Sequence, residues 1–247
     1  MMDSSLGEEA KQYVERVLER EGKEPRGKVL MATIAGSVSY NVHKDLSDKD
    51  FFGVYAAPLP EVLALGGGVK ETVNASAVGG DDFCVHEAAK FGRLLLKGNP
   101  GIVEALYNDG DVYSTPAWDA LRAQRDAFLS QSVVFHYLGY IKSQLKQYAA
   151  DKGVSTKKLY HVIRLLGEVE RIASGGHPVV RMQGEERDRL MAIRANEEDP
   201  EAILEEAQAR IAAVKAGKPW GLPPSGDEDV LMAWLIDLRR GVFDEDE

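Results

Sequence analysis

The stretch AGSVSYNVHKDLSDKDFFGVY, residues 35–55, decides how the rest of the chain is read. It follows GKVLMATIA (27–35), an apolar and β-branched run that predicts a buried strand ending at Gly36. A Gly36-Ser37 turn at a strand end presents backbone N–H groups and a hydroxyl to phosphate oxygens. After a ten-residue spacer come Asp48 and Asp50, where DFFGVYAA (50–57) predicts a second strand stopped by Pro58-Leu59-Pro60. Side chains two positions apart on a strand leave from the same face. Two neighbouring carboxylates repel unless a cation lies between them. Mg²⁺ suits them, since it takes hard oxygen ligands and keeps water and phosphate in its shell; Mn²⁺ fits the same donors. Together these features describe a site for a metal–nucleoside triphosphate.

A third acid is at hand. Asp82 opens the strand-like DFCVH (82–86), with Asp81 before it. If that strand lies beside the Asp48–Asp50 strand, one of the two completes a three-carboxylate site. Asp82 is favoured, because Phe83 and Val85 then face the other side. Three acids can hold two metal ions about 4 Å apart, the arrangement for in-line nucleotidyl transfer. A lone D-x-D or Gly-Ser is common in solvated turns; strand, Gly-Ser, spacer, D-x-D and strand together are far more selective.

Further along the chain, residues 7–21 predict a helix, 69–75 a third strand, and 87–97 and 101–107 helices around the Asn99-Pro100-Gly101 break. From there the pattern is helical: 131–150, 156–174, 184–195, 199–216 and 227–240, interrupted at Gly217–Pro224. The division expected is an α/β unit over 1–115 and an all-helical unit over 116–247, with an acidic solvated tail at about 243–247.

The motif residues resemble the DNA polymerase beta-like nucleotidyltransferase superfamily. The match is with its branch of RNA-repair-pathway polymerase-beta-like proteins. That branch reads roughly Gly-Ser-x-x-Tyr-Gly, then Ser-Asp-x-Asp-x-x-Gly-Val. Here stand Gly36-Ser37-Val38-Ser39-Tyr40 and Ser47-Asp48-Lys49-Asp50-Phe51-Phe52-Gly53-Val54. Its later passages are similar to Asp82–Phe91, Gly98-Asn99-Pro100, Glu104-Ala105-Leu106-Tyr107, Lys157–Leu166 and Ile193-Arg194. The resemblance spans about residues 28–195. Two departures touch the motif. Asn41 replaces the usual glycine, and asparagine tolerates left-handed backbone better than most residues. Phe52 replaces a common basic residue after D-x-D, while Lys49 sits between the acids.

The resemblance implies an α/β (α+β) fold, with a palm-like mixed sheet and flanking helices followed by a helical domain. It implies two Mg²⁺ ions held by Asp48, Asp50 and Asp82, with the triphosphate gripped at Gly36 and Ser37. It suggests an RNA or tRNA end as acceptor. Superfamily members that modify proteins or small molecules keep those acceptors open, as does a binding module that no longer catalyses.

Between Lys142 and Arg164 there are six basic residues and one acid, Asp151, in a chain of net charge −10. Helical spacing puts Lys157, His161, Arg164, Glu168 and Arg171 on one stripe and Leu159, Val162, Leu166 and Val169 on the other side. Such a stripe is either a solvated face or a surface for triphosphate or an RNA backbone. The resemblance favours the second, since a helical-domain Lys or Tyr commonly touches the triphosphate there. Lys157 leads for that role, with His161 and Arg164 beside it.

Composition sets the outer bounds. The chain has 247 residues, 44% of them hydrophobic and 28% charged, which excludes disorder as the dominant state. An overall acidic charge speaks against a polynucleotide binder that uses its whole surface. Cys84, the one cysteine, rules out an intrachain disulfide framework and a cysteine-based zinc site. No apolar run approaches the ~18 residues of a membrane span, and the polar, acidic N-terminus does not read as a signal peptide. The expected compartment is the cytoplasm. His43, His86, Cys84, Trp220 and Trp234 are expected to pack or hydrogen-bond, and Gly66-Gly67-Gly68 to form a turn.

Overall fold

The computed structural model describes residues 5–19, 26–43, 49–76, 82–110, 112–151 and 153–243. Asp48, Asp81 and the tail 244–247 lie outside the described residues.

The chain forms two compact units. The first comprises residues 1–94, 108–125 and 227–247, and the second 95–107 and 126–226. The first is built on a five-stranded mixed sheet in the order β3-β4-β2-β1-β5. Its strands are β1 (Lys28–Ala35), β2 (Asp50–Ala56), β3 (Thr72–Ser76), β4 (Asp82–Glu87) and β5 (Val112–Ser114). β1 runs antiparallel to β2 and β5, β2 runs parallel to β4, and β3 antiparallel to β4.

α1 (Ser5–Leu18) covers one face of this sheet. Its buried stripe of Ala10, Val14 and Leu18 follows the helical period. Tyr13 stacks on Phe51 with ring centroids 4.0 Å apart and meets Phe83 edge-on at 5.8 Å, each pair worth about 1 kcal/mol beyond its buried area. Gly53 permits the close approach: a Cβ there would lie 2.9 Å from a Val14 methyl.

The chain turns after β1 through α2 (Gly36–Ser39), and after β2 through α3 (Leu59–Val62). α4 (Ala88–Leu96) leads to α5 (Pro100–Tyr107) across Gly98, whose φ of +76° and 2.6 Å approach of a notional Cβ to the Val133 nitrogen admit only glycine. β5 is followed by α6 (Pro116–Ala123), capped by the Thr115 hydroxyl, which accepts from the Trp118 N–H. A 3-10 turn (Arg125–Phe128) precedes the long helices α7 (Gln131–Ala150) and α8 (Thr156–Ala173), which pack with α9 (Gly184–Ala195) and α10 (Pro200–Ala216).

The compact units divide the chain differently from the expected break at residue 115. α5, expected in the first unit, packs on α7 in the second. α11 (Glu228–Arg239), expected in the helical half, and the residues of α6, which fall in that half, belong to the sheet unit. Three contacts bring α11 back: Trp234 Nε1 donates to the Ala117 carbonyl at 2.7 Å, Arg239 Nη1 donates to the Ala57 carbonyl at 3.0 Å, and Arg239 pairs with the buried Glu87 carboxylate. No helix among the described residues is long and apolar enough to cross a membrane.

Candidate active site

The sheet register builds the site. β2 and β4 are paired in parallel from Phe51↔Phe83 onward. Asp50 and Asp82 each stand one residue earlier, as the first residues of their strands. Phe51 and Phe83 turn toward Tyr13 of α1, so strand alternation sends Asp50 and Asp82 to the opposite face. Asp50 is half-buried and Asp82 exposed. Phe52, Cys84 and His86 continue that face, with the Phe52 and His86 rings edge-on at 5.8 Å.

Gly36 completes the corner. β1 pairs Ala35 with Asp50, which brings the next residue beside the carboxylate. A Cβ on Gly36 would collide with Asp50 Oδ2, and its φ is +67°. Glycine suits this conformation, and any side chain here would displace the Asp50 carboxylate. The turn after it is held by Ser39 Oγ donating to the Gly36 carbonyl at 2.9 Å and by the Val42 N–H on the Ser37 carbonyl at 3.0 Å. Asn41 adopts φ 58°, the left-handed conformation expected of the residue that replaces glycine.

Lys49 leaves the acids. Its ammonium meets Glu9 Oε1 and Oε2 of α1 at 2.7 and 2.8 Å, on the side away from Asp50. Strand alternation explains this, since Lys49 shares the face of Phe51. His86 is engaged as expected, with Nδ1 3.0 Å from Thr72 Oγ1 and Nε2 3.5 Å from Cys84 Sγ. Burial, with Lys90 nearby, lowers the His86 pKa, and burial raises that of Cys84.

Among the described residues, no group of three His, Cys, Asp or Glu side chains is close enough to hold a metal ion. The two described acids still offer what Mg²⁺ takes: hard oxygens on adjacent strands, beside a glycine whose missing side chain leaves the Asp50 carboxylate its place.

In the helical unit, the expected ligand stripe on α8 is altered. α8 is buried almost all round from Leu159 to Val169, so a division into one apolar and one polar face does not describe it. Arg164 is 2% exposed, and its Nη1 donates to Glu104 Oε1 at 2.9 Å. The Tyr137 hydroxyl donates to the same oxygen at 3.1 Å. Arg164 therefore serves the interior of the unit, a correction to its expected place on a ligand face. Glu168 is fully buried and accepts from Arg171 Nη2 at 3.1 Å and from the Val179 N–H at 2.8 Å. Burial, reinforced by the Glu104 charge and opposed by Arg171, pushes its pKa up to about 7.

His161 stacks on Tyr160 at 4.5 Å. Burial, with the charges of Arg164, Lys157 and Arg194, lowers its pKa to about 3, so it is neutral at pH 7. Lys157 is exposed in the first turn of α8. Arg194, whose guanidinium lies 5.4 Å from the Tyr160 ring, joins this basic cluster through α9. The Glu104–Arg164 pair was missed in the sequence. Its available signal was one acid and one base, each set within an otherwise apolar helical run.

No curated protein sequence matches the chain. Among solved structures, a nucleotidyltransferase-like protein from Exiguobacterium sibiricum 255-15 is similar at 12% identity and a TM-score of 0.33, with 96% of this chain and 79% of that one covered. The RNA repair pathway DNA polymerase beta family matches residues 9–216, which include the Gly36–Asp50–Asp82 corner and helices α8 and α9, so the chain belongs to that family and its function is of the nucleotidyltransferase type.

Proposed function

We propose that the chain transfers a nucleoside monophosphate from an NTP to an acceptor hydroxyl, with an RNA or tRNA end as the acceptor. One observation carries this reading: Asp50 and Asp82 open neighbouring parallel strands on a common face, with Gly36 against the Asp50 carboxylate. Asp48, two residues before Asp50, is the third proposed ligand. Two Mg²⁺ ions held by these acids would neutralise charge that builds on the phosphates in the transition state.

The chain's own residues have defined tasks. Ser37 and the Gly36–Ser37 backbone orient the β- and γ-phosphates. The acceptor oxygen forms a bond to the α-phosphorus, the bond to the bridging oxygen breaks, and pyrophosphate leaves. The hydroxyl proton passes to solvent by way of the exposed Asp82 carboxylate. Lys157 is the helical-unit cation proposed to touch the triphosphate. His161, neutral and largely buried, and Arg164, engaged by Glu104, support the helix that carries it.

The test is transfer of an α-phosphate label from each NTP to RNA, protein and small-molecule acceptors in parallel, with Mg²⁺. Label in RNA supports the reading. Label confined to protein or to a small molecule keeps the chemistry and replaces the acceptor.

A further inference from the structure

The helical unit contains a groove of about 570 Å³ between α7 and the end of α10. Its aliphatic lining is Leu138 and Leu145 of α7 with Ile211 of α10, and Phe135 and Trp220, edge to face at 5.3 Å, line it too. Three lysines, Lys142, Lys215 and Lys218, line it, and no acid does. Lys218 lies 4.8 Å from the centre of the Phe135 ring. In a chain of net charge −10, three cations around an apolar lining, with no carboxylate paired to them among the described residues, are complementary to an anion that also carries an apolar surface.

Two features show that the chain keeps this surface open at a cost to itself. Gly139 lies mid-helix in α7, where glycine costs roughly 1 kcal/mol against alanine. A Cβ there would meet nothing within 4 Å, so the protein's own packing does not require glycine. It is a lining residue of the groove, and a side chain would occupy ligand space. Trp220 holds φ 58°, an unfavourable conformation for an aromatic residue, with its indole N–H on the Val214 carbonyl at 2.6 Å. The ring is fixed in place beside Phe135.

We infer that this groove binds the single-stranded RNA that carries the acceptor end, with a base against Phe135 and Trp220 and phosphates at Lys142, Lys215 and Lys218. This rests on the proposed transfer to RNA and assigns that partner a surface. Aromatic rings with adjacent cations are the general means of holding single strands, because every base has a π-face and every linkage a charge. An acidic amphipathic peptide would use the aliphatic lining and the lysines, but would leave the fixed aromatic pair unexplained.

The test uses the full chain and a short fluorescein-labelled single-stranded RNA, read by anisotropy. Gly139→Leu fills the groove and favours the helix, so its melting temperature should hold while RNA affinity falls about tenfold. Lys142→Gln with Lys215→Gln should weaken binding and reduce the salt slope by about 1.4, two single-strand phosphate contacts. NTP binding by calorimetry runs in parallel on the same proteins. If the wild type binds RNA through Gly139 and the lysines but takes no NTP, the groove stands and the transfer reading falls. Equal RNA affinity in the wild type and both variants overturns the groove even where NTP binds. So does an acidic amphipathic peptide that binds in a Gly139-dependent way while RNA does not.

Discussion

Arg164 and Glu104 meet at 2.9 Å with side chains only 2% and 5% exposed, joining α8 to α5 across sixty residues of sequence. The pair is a fixed part of the helical unit's interior, and the Tyr137 hydroxyl shares its carboxylate. Removing one partner strands the other charge away from water, which costs about 3–5 kcal/mol. Arg164→Ala and Glu104→Ala should each lower denaturant stability by that order. The double replacement Arg164→Met with Glu104→Leu should recover most of it. Chemical denaturation of the Arg164→Met and Glu104→Leu singles with that double closes a double-mutant cycle and reads the coupling; independent, additive losses would show that the two do not act as a pair.

The same unit holds two buried groups that titrate in opposite senses. The His161 pKa falls from 6.5 to about 3 on folding, so the unfolded chain binds the extra proton between those values and stability is lost as pH drops through that window. The Glu168 pKa rises from 4.5 to about 7, so the folded chain binds the extra proton and stability is lost as pH climbs from 4.5 to 7. Where the windows overlap the two slopes, each up to about 1.4 kcal/mol per pH unit, oppose one another. The His161 and Glu168 contributions should therefore cancel to a plateau from about pH 4.5 to 6.5, on which the lowered His86 pKa superimposes a rise with pH. His161→Phe, which keeps the stack on Tyr160, should turn that plateau into a decline with rising pH. Glu168→Gln should turn it into a rise. Profiles unchanged in both variants would remove His161 and Glu168 as the titrating groups.

Much of the site was legible because it is local. Gly36, Asn41 and the strand alternation around Asp50 follow from rules that act over two to six residues. Asp82 was expected beside Asp50 on condition that their strands are adjacent, and the β2–β4 register supplies that adjacency. What was not legible depends on distant contact. The helical wheel set Arg164 beside Lys157 because it counts positions on one helix. It cannot tell that α8 is covered on nearly every side. Nor does any spacing announce that Arg239 will reach Glu87, which moves α11 to the sheet unit. β5 and α6 were passed over too, although Thr115-Pro116 carries a local helix-start signal.

The return of α11 makes a separate prediction. Glu87 is 3% exposed and is held by Arg239 and by the Ala89 N–H at 2.7 Å. Arg239→Ala should destabilise the sheet unit by about 3 kcal/mol, the lower end for a broken buried pair, because Arg239 keeps some contact with water. Glu87→Gln in the Arg239→Ala background should restore part of the loss. Thermal melts of the wild type and both variants check it, and an Arg239→Ala protein as stable as the wild type would contradict it.

Gly36 should be as sensitive as an acid. Alanine there must take a left-handed φ, at about 1–2 kcal/mol, and push its methyl group into the Asp50 carboxylate. Gly36→Ala is expected to remain folded by circular dichroism while losing at least tenfold in nucleotidyl transfer, with the larger share in kcat. Wild-type turnover in that variant would show that the Asp50 carboxylate does not need this place.

The central claim is that Asp50 and Asp82 act together as metal-holding carboxylates in nucleotidyl transfer. Its most direct test is pyrophosphate release from an NTP with Mg²⁺ and RNA, compared among the wild type, Asp50→Asn, Asp82→Asn and the double variant. Each single variant should fall by about a thousandfold or more, with the double variant no worse than the weaker single, since residues that act as a unit are not additive. Release that persists at the wild-type rate in either Asp50→Asn or Asp82→Asn would contradict the account.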